Sequence, residues 1–385
     1  MNSRQSPIFA VIAGGGTSGH IVPALAIAEL LVESGQAPES IHFIGSDRGV
    51  EVKILADSLY SHSLLRVDGF QRGLNSRSLA RTARMVPMMW RAVRSARKLL
   101  VELQPKVVVS VGGYASVPAS RAAHQLAIPV VTCSYDRRPG IATRLQSRYA
   151  VASAVAYMPN SLNNAQLTGA PVRAVLRHLN RSLSRREARA RLNIAEDRRL
   201  IVIMGGSLGS AILNSALRGV VELWANRPDL AILHLSGVRY FSDQMPNLGS
   251  ATESIDYHRL AYCENMVDVY AAADLVISRA GASSVAEIAT VGVPSILVPW
   301  KNAAENHQQT NADWLVERGG AVLLDEYDLS VANLAEVITD LLAHPQRLAQ
   351  LGERAYQLGA LHRDCSIARV IEMAARGELQ REFHQ

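Results

Sequence analysis

Two glycine-rich segments of one design, Gly14-Gly15-Gly16-Thr17-Ser18-Gly19-His20 and Gly205-Gly206-Ser207-Leu208-Gly209-Ser210, head the two halves of the chain, each directly after a short apolar run. Glycine lets the backbone turn sharply and approach a ligand closely, and the unpaired N–H groups of a helix start attract phosphate. Residues 9–13 and 200–204 therefore read as buried parallel strands. Helices are expected to follow, one beginning near Pro23, whose fixed φ suits a first helical turn, and one at Ala211. One such loop is a weak signal. Two of them predict paired nucleotide-fold domains, with a phosphate-seeking helix end on either side of a cleft.

The same alternation continues along the chain. Residues 41–45, 107–111 and 129–132 read as further strands of the first half, and residues 232–235, 275–278, 295–298 and 321–324 as strands of the second. Strands alternating with helical stretches give a doubly wound parallel sheet, and 385 residues exceed one comfortable core. The stretch from Thr168 to about Arg199, a Gly169-Ala170-Pro171 turn followed by a polar, arginine-rich run, reads as the junction between domains. Near the end, Ser330 is an N-cap candidate, His344-Pro345 a helix break, and residues 365–375 an amphipathic stretch.

With 48% hydrophobic and 19% charged residues the chain is globular. Cys133, Cys263 and Cys365 are odd in number, widely spaced and without a CxxC pair, which argues against a disulfide scaffold or a zinc site and fits a reducing compartment. The apolar run at residues 8–13 is too short for a secretion signal, and no run approaches the roughly 20 apolar residues of a spanning helix, so an intracellular chain is expected. The net charge of +6 is concentrated in one place. Arg72, Arg77, Arg81, Arg84, Arg91, Arg94, Arg97, Lys98 and Lys106 stand against the single acid Glu102, with Met85-Val86-Pro87-Met88-Met89-Trp90 among them. Two readings remain open: a helix that packs its methionines inward and solvates its arginines, or a surface resting on anionic lipid through Arg84, Met88, Met89, Trp90, Arg91 and Arg94. Aromatics are only 5% and no recognition motif is present, so nucleic acid is not an expected partner.

The most specific block is Ser278-Arg279-Ala280-Gly281-Ala282-Ser283-Ser284-Val285-Ala286-Glu287, which follows the strand expected at residues 275–278. Small side chains leave the N–H groups of residues 281–284 open to phosphate, and Glu287 can accept from two adjacent sugar hydroxyls. That suits a nucleoside diphosphate. An ordinary strand-to-helix turn with a glutamate favoured by the helix dipole accounts for any one of these residues, though not easily for the whole string.

Taken in order with Gly112-Gly113-Tyr114-Ala115-Ser116, Thr168-Gly169-Ala170-Pro171-Val172-Arg173 and Ile212-Leu213-Asn214, these segments resemble the MurG family of glycosyltransferases over nearly the whole chain. The resemblance implies an α/β fold of the GT-B type, two Rossmann-like doubly wound parallel-sheet domains facing across a cleft. The expected division is residues 1–172, residues 173–362, and a C-terminal helix in residues 363–385 that returns to the first domain. It also implies transfer of N-acetylglucosamine from UDP-N-acetylglucosamine (UDP-GlcNAc) to lipid I, giving lipid II in peptidoglycan synthesis, at the cytoplasmic face of the cell membrane. Lipid I, an anionic membrane surface and proteins of cell-wall synthesis are the partners it suggests, with no cofactor beyond the donor substrate.

Carried over residue by residue, the resemblance assigns the acceptor diphosphate to Gly14, Gly15, Gly16, Gly112, Gly113, Tyr114 and Ser116, with Thr17, Ser18 and Gly19 reaching the donor. Asp136 falls in the donor-sugar region. Arg173 and Ser207 match donor-binding positions, Cys263 a backbone amide that meets uracil, and Ala282, Ser283, Ser284, Val285, Ala286 and Glu287 the diphosphate and ribose. Gln308 matches a glutamine that reads the sugar hydroxyls, with the register open to His307 or Gln309. His20 matches the general base.

The chemistry supports that role independently. Inversion at an anomeric carbon needs a base on the face opposite the leaving UDP, and histidine titrates near neutrality. The alternative is a histidine that only caps or packs at a helix start. Charge on the leaving UDP can be offset by helix starts and Arg173, and no Asp-x-Asp for a required cation is present. The chain also departs from the family. Cys133-Ser134-Tyr135-Asp136 stands where His-Glu-Gln-Asn is usual, Ser18 replaces a glycine, Ala170 an asparagine and Leu208 a glutamine. Three other readings are a nicotinamide dehydrogenase, since Gly14-x-Gly16-x-x-Gly19 fits GxGxxG with Asp47 as a distant ribose acid, a UDP-sugar epimerase, and a non-catalytic binding relative.

Overall fold

Runs such as Val107-Val108-Val109 and Leu200-Ile201-Val202-Ile203 are apolar on both faces, as suits strands covered by helices on both sides. In the computed structural model, which describes residues 7–15, 18–48, 51–67, 76–241 and 254–379, each becomes a central strand of a parallel sheet. The chain forms two compact units, unit 1 from Met1–Ala174 with Asp364–Gln385, and unit 2 from Val175–Arg363.

Unit 1 contains β1 (Ala10–Ala13), β2 (Ile41–Ser46), β3 (Ser61–Leu65), β4 (Val107–Ser110), β5 (Val130–Ser134), β6 (Ala152–Val155) and β7 (Ala165–Leu167). They are ordered β3-β2-β1-β4-β5-β6-β7. Its helices are α1 (Ser18–Glu33), α2 (Glu51–Ala56), α3 (Ser76–Leu103), α4 (Val117–Gln125) and α5 (Ile141–Ser147). The short α6 (Ala174–Arg177) runs across the boundary into unit 2, followed by α7 (Arg181–Leu192) and α8 (Ala211–Leu223). Then come α9 (Met266–Ala272), α10 (Ala282–Val291), α11 (His307–Val316), α12 (Val331–Ala343), α13 (Pro345–Leu358) and α14 (Ala360–Arg363). Its strands are β8 (Arg199–Met204), β9 (Leu230–Leu235), β10 (Asp256–Leu260), β11 (Leu275–Ser278), β12 (Ser295–Leu297) and β13 (Val322–Leu323), ordered β10-β9-β8-β11-β12-β13. The last helix, α15 (Ile367–Ala375), packs on α1 and on β4, β5 and β6 within unit 1, where Ser34 Oγ donates to Glu372 Oε1 at 2.8 Å.

Both sheets are parallel throughout, and each reverses its winding at one place. In unit 1 that place is between β1 and β4, with Ala13 beside Ser110. In unit 2 it is between β8 and β11, with Met204 beside Ser278. Ligands of such sheets bind outside the carboxyl ends of the strands at this switch point. Gly14, Gly15 and the Gly112-Gly113 pair leave unit 1's switch point, and Gly205-Gly206 and Ala280-Gly281 leave unit 2's.

Three sequence expectations change. Helix α1 begins at Ser18, so Pro23 lies inside it and is not its start. The boundary between the units falls after Ala174, inside the stretch read as the junction, but the arginine-rich run beyond it is a helix built into unit 2. Arg181, Arg185 and Arg189 recur every four residues on α7 and grip α9 and the start of β11: Arg181 donates to the carbonyls of Tyr270, Ala273 and Gly292, while Arg189, 1% exposed, pairs with Asp274. Finally, β3, β6, β7 and β10 were not expected from the sequence. Edge strands such as Ser61–Leu65 and Asp256–Leu260 cover only one side and carry no long apolar run, and β6 is built from small residues.

Candidate functional site

At unit 1's switch point the backbone is shaped for close approach. Gly112 and Gly113 have φ of +87° and +73°, a left-handed conformation that glycine adopts without strain. The His20 imidazole lies against this turn, and a Cβ on Gly113 would stand 3.2 Å from its Nε2. Helix α1 presents His20 from its first turn, half-buried. Tyr135, at the end of β5, meets the ring edge-on at 6.5 Å between centroids and donates its hydroxyl hydrogen to the Gly19 carbonyl at 2.5 Å. Burial pushes the His20 imidazole below 6.5, and the Asp136 carboxylate pulls the other way. The result is an imidazole kept neutral and beside a carboxylate, as a proton acceptor near neutral pH requires. Sequence reading marked Tyr135 and Asp136 only as departures, and Asp136 for the donor sugar. The structure shows their influence on His20.

The other residues assigned to the acceptor divide. Gly14 and Gly15 are buried at the end of β1, and Tyr114 is half-buried beside the turn. Ser116 is fully buried and donates to the Gly113 carbonyl at 2.9 Å, with Gln146 Nε2 donating to its hydroxyl oxygen at 3.1 Å. That is a correction: its side chain braces the glycine turn from beneath and is not offered to a ligand. Gly16 and Thr17 lie outside the described residues, as does the side chain of Ser18.

In unit 2 the segments after β8, β11, β12 and β13 converge. Gly206 and Gly209 have φ of +86° and +81°, and Gly209 N–H donates to the Gly206 carbonyl at 2.9 Å, folding residues 205–210 into a tight turn beside Ser207. A side chain on Gly209 would collide with the Ser236 carbonyl. Ser210 caps α8, accepting from the N–H of Leu213. Helix α10 starts at Ala282 with Gly281 before it, so its first N–H groups have no side-chain cap. The Ser283 hydroxyl there is buried and has no hydrogen-bond partner among the described residues, while Ala282, Val285 and Ala286 pack inward. Glu287 stands further along α10, where Tyr270 donates to its Oε2 at 2.9 Å. Burial and that carboxylate push the Tyr270 phenol well above 10, so it remains a donor.

One buried ion pair, which sequence reading missed, ties these loops together. Arg279 pairs with Glu326 and donates to Ser210 Oγ at 2.7 Å and to the Val298 carbonyl at 3.1 Å, and Glu326 Oε2 accepts from Lys301 N–H at 3.2 Å. The segments after β8, β11, β12 and β13 are thus fixed to one centre. Gln308 stands at the start of α11 and accepts from Trp300 N–H at 2.9 Å; His307 and Gln309 are engaged by the Ala304 carbonyl and Asp313. Cys263 is half-buried between β10 and α9, its thiol pushed up by burial.

Two further assignments change. Arg173 belongs to unit 1, where its Nε donates to Glu29 Oε1 at 2.7 Å and the next residue's N–H donates to Oε2. It is therefore not part of the donor unit to which it was assigned. On α3, Ala92, Ala96 and Leu100 are buried at helical spacing, and Met89, half-buried, packs with them against the core, so the core takes up part of the side chain expected to meet lipid. Trp90, 73% exposed, points outward with Arg91 and Arg94, and Met88 is half-buried. The side chain of Arg84 lies outside the described residues. Among the described residues no helix is long and apolar enough to cross a membrane.

Two Rossmann-like units, each with glycine turns at the switch point of a parallel sheet, give the plan of the GT-B fold. Residues 10–155 match the glycosyltransferase family 28 N-terminal domain and residues 200–365 the family 28 C-terminal domain. The chain is 32% identical, over 91% of its length and 94% of the relative, to a protein of Desulforamulus reducens named UDP-N-acetylglucosamine--N-acetylmuramyl-(pentapeptide) pyrophosphoryl-undecaprenol N-acetylglucosamine transferase. It is 35% identical to a Mycobacterium ulcerans protein of the same name, over 92% of this chain and 88% of that one. The crystal structure of Acinetobacter baumannii MurG superposes with a TM-score of 0.69 at 25% identity, covering 96% of this chain and 99% of that one. The chain belongs to glycosyltransferase family 28, in the group that contains MurG.

Proposed function

We propose that the chain transfers N-acetylglucosamine from UDP-GlcNAc to the muramoyl 4-hydroxyl of lipid I, with inversion, giving lipid II. The observation that carries this reading is His20, whose imidazole lies against the Gly112-Gly113 turn at unit 1's switch point, where burial lowers its pKa. His20 removes the proton of the acceptor hydroxyl, the oxygen attacks the anomeric carbon, and the bond from that carbon to UDP breaks on the opposite face. Gly14, Gly15 and the Gly112-Gly113 turn accommodate the acceptor diphosphate.

In unit 2, the start of α10 with Ser283 and the turn at Ser207 hold the donor diphosphate, where their N–H groups offset the charge that develops on UDP. Glu287 accepts from the ribose hydroxyls, the Cys263 backbone meets uracil and Gln308 reads the sugar. The enzyme works at the cytoplasmic face of the membrane, resting there on the outward face of α3 with Trp90, Arg91 and Arg94. Because burial lowers the His20 pKa, turnover should hold as pH falls to below 6.5 before the base is protonated.

Incubation with a panel of UDP-sugars and a lipid I analogue, with product identification by mass, tests the reading. An N-acetylhexosamine adduct from UDP-GlcNAc alone is the expected outcome. Donor conversion without acceptor would indicate an epimerase instead.

A further inference from the structure

We infer that Tyr135 is a positioning residue for His20, holding the first turn of α1 so that the imidazole stays against the Gly112-Gly113 turn. This rests on the reading of His20 as the base. It starts from Pro23. Proline has no N–H, so the Gly19 carbonyl, four residues earlier, lacks the backbone donor that a helix interior supplies. The Tyr135 hydroxyl takes that place, donating to the Gly19 oxygen at 2.5 Å. Its ring then meets the imidazole of the next residue, inclined at 66°.

One side chain thus restrains two consecutive residues, the backbone of Gly19 and the ring of His20. The restraint is firm because Tyr135 is itself buried, and burial holds its phenol well above 10, so the donor is never lost by ionisation. It reaches α1 from β5, which is separated from β1 by β4. Against the imidazole, Gly113 leaves little room for a side chain without displacing it, since a Cβ would approach Nε2 to 3.2 Å. Asp136, the next residue, adds the negative charge that favours the imidazolium formed when the acceptor proton moves. Position 135 is one of the places where this chain departs from the glutamine its resemblance implies.

The test is Tyr135→Phe, which keeps the ring and removes the hydroxyl, assayed beside His20→Ala for kcat, KM for UDP-GlcNAc, melting temperature and the pH profile of kcat. In the Phe variant kcat should fall about tenfold with KM unchanged, because a slightly misplaced base lowers turnover without touching donor binding. The acid limb of its profile should also move up toward 6.5 as the imidazole regains water. Wild-type kcat with an unmoved limb would overturn the inference, and so would a loss of kcat that tracks a lower melting temperature with the limb in place. If His20→Ala keeps its turnover, the base assignment itself fails, whatever the Phe variant does. If His20→Ala loses turnover and Tyr135→Phe does not, only the role of Tyr135 fails.

Discussion

At the switch point of unit 1, glycines, a histidine and a tyrosine meet, with the Asp136 carboxylate acting on the histidine. At the switch point of unit 2 the buried Arg279–Glu326 pair binds four loop segments to one centre. The two units share a sheet plan and a glycine loop, so the contrast comes from what each end has to do. A base must gain and lose a proton, so burial that favours the neutral imidazole is set against a single carboxylate, Asp136, that favours the imidazolium. A diphosphate site needs N–H groups held in place under load, and a buried ion pair with hydrogen bonds to two further loops supplies that rigidity at the cost of desolvation.

The contrast is sharpest in stability. Glu326→Ala leaves the Arg279 guanidinium buried without its carboxylate, which should cost about 3–5 kcal/mol. Calorimetry should show that loss, while Tyr135→Phe should cost about 1 kcal/mol, a typical single hydrogen bond. Equal losses in the two variants would erase the distinction between a rigid end and a tuned one.

Acid should act next most strongly. His234, buried between Tyr257 (Nδ1 to the hydroxyl, 2.8 Å) and Asn214 (Nε2 to Oδ1, 3.0 Å), has its pKa lowered to about 4 by burial. Asn214 also donates to the Ser236 carbonyl at 2.9 Å, which fixes its amide and makes His234 Nε2 the donor. The unfolded chain binds this proton near 6.5 and the folded one only near 4. The contribution is therefore fully present above 6.5 and is lost as pH falls toward 4, by up to about 3 kcal/mol. His234→Gln should flatten the fall of melting temperature across that window. An unchanged slope would remove His234 from the account.

The smallest effect concerns the outer face of α3. Arg91→Gln with Arg94→Gln should weaken binding to anionic vesicles at low salt by about 1 kcal/mol per residue, with melting temperature unchanged. Equal flotation of the double variant and wild type would make this an ordinary solvated helix face.

How much of this was legible in the sequence follows from which signals are local. The central strands of both sheets could be read because their apolar runs are continuous, and the N-cap at Ser330 because capping is a matter of neighbouring residues. Edge strands β3, β7 and β10 could not, since half-covered strands need no such run. The α7 arginines looked like a polar linker, although their spacing of four residues already described one helix face. His20, Glu287 and the glycine turns could be located from motif and resemblance. The partnership of Tyr135 with Gly19 could not, because it joins residues 116 apart. Its one local trace is Pro23, whose missing N–H marks the Gly19 carbonyl as needing a donor from elsewhere. The link between Arg279 and Glu326 is equally long-range and left no pattern at all.

The central claim is a division of labour, with proton transfer in unit 1 and donor binding in unit 2. Its most direct test measures kcat and UDP affinity in both His20→Ala and Glu287→Ala. The account predicts a crossed result. His20→Ala should lose about 100-fold or more in turnover and bind UDP as wild type does, because it removes a proton acceptor alone. Glu287→Ala should lose about 1.5–3 kcal/mol of UDP affinity, the range for hydrogen bonds to a charged group, and keep most of its kcat at saturating donor. Loss of the same parameter in both folded variants would contradict the division.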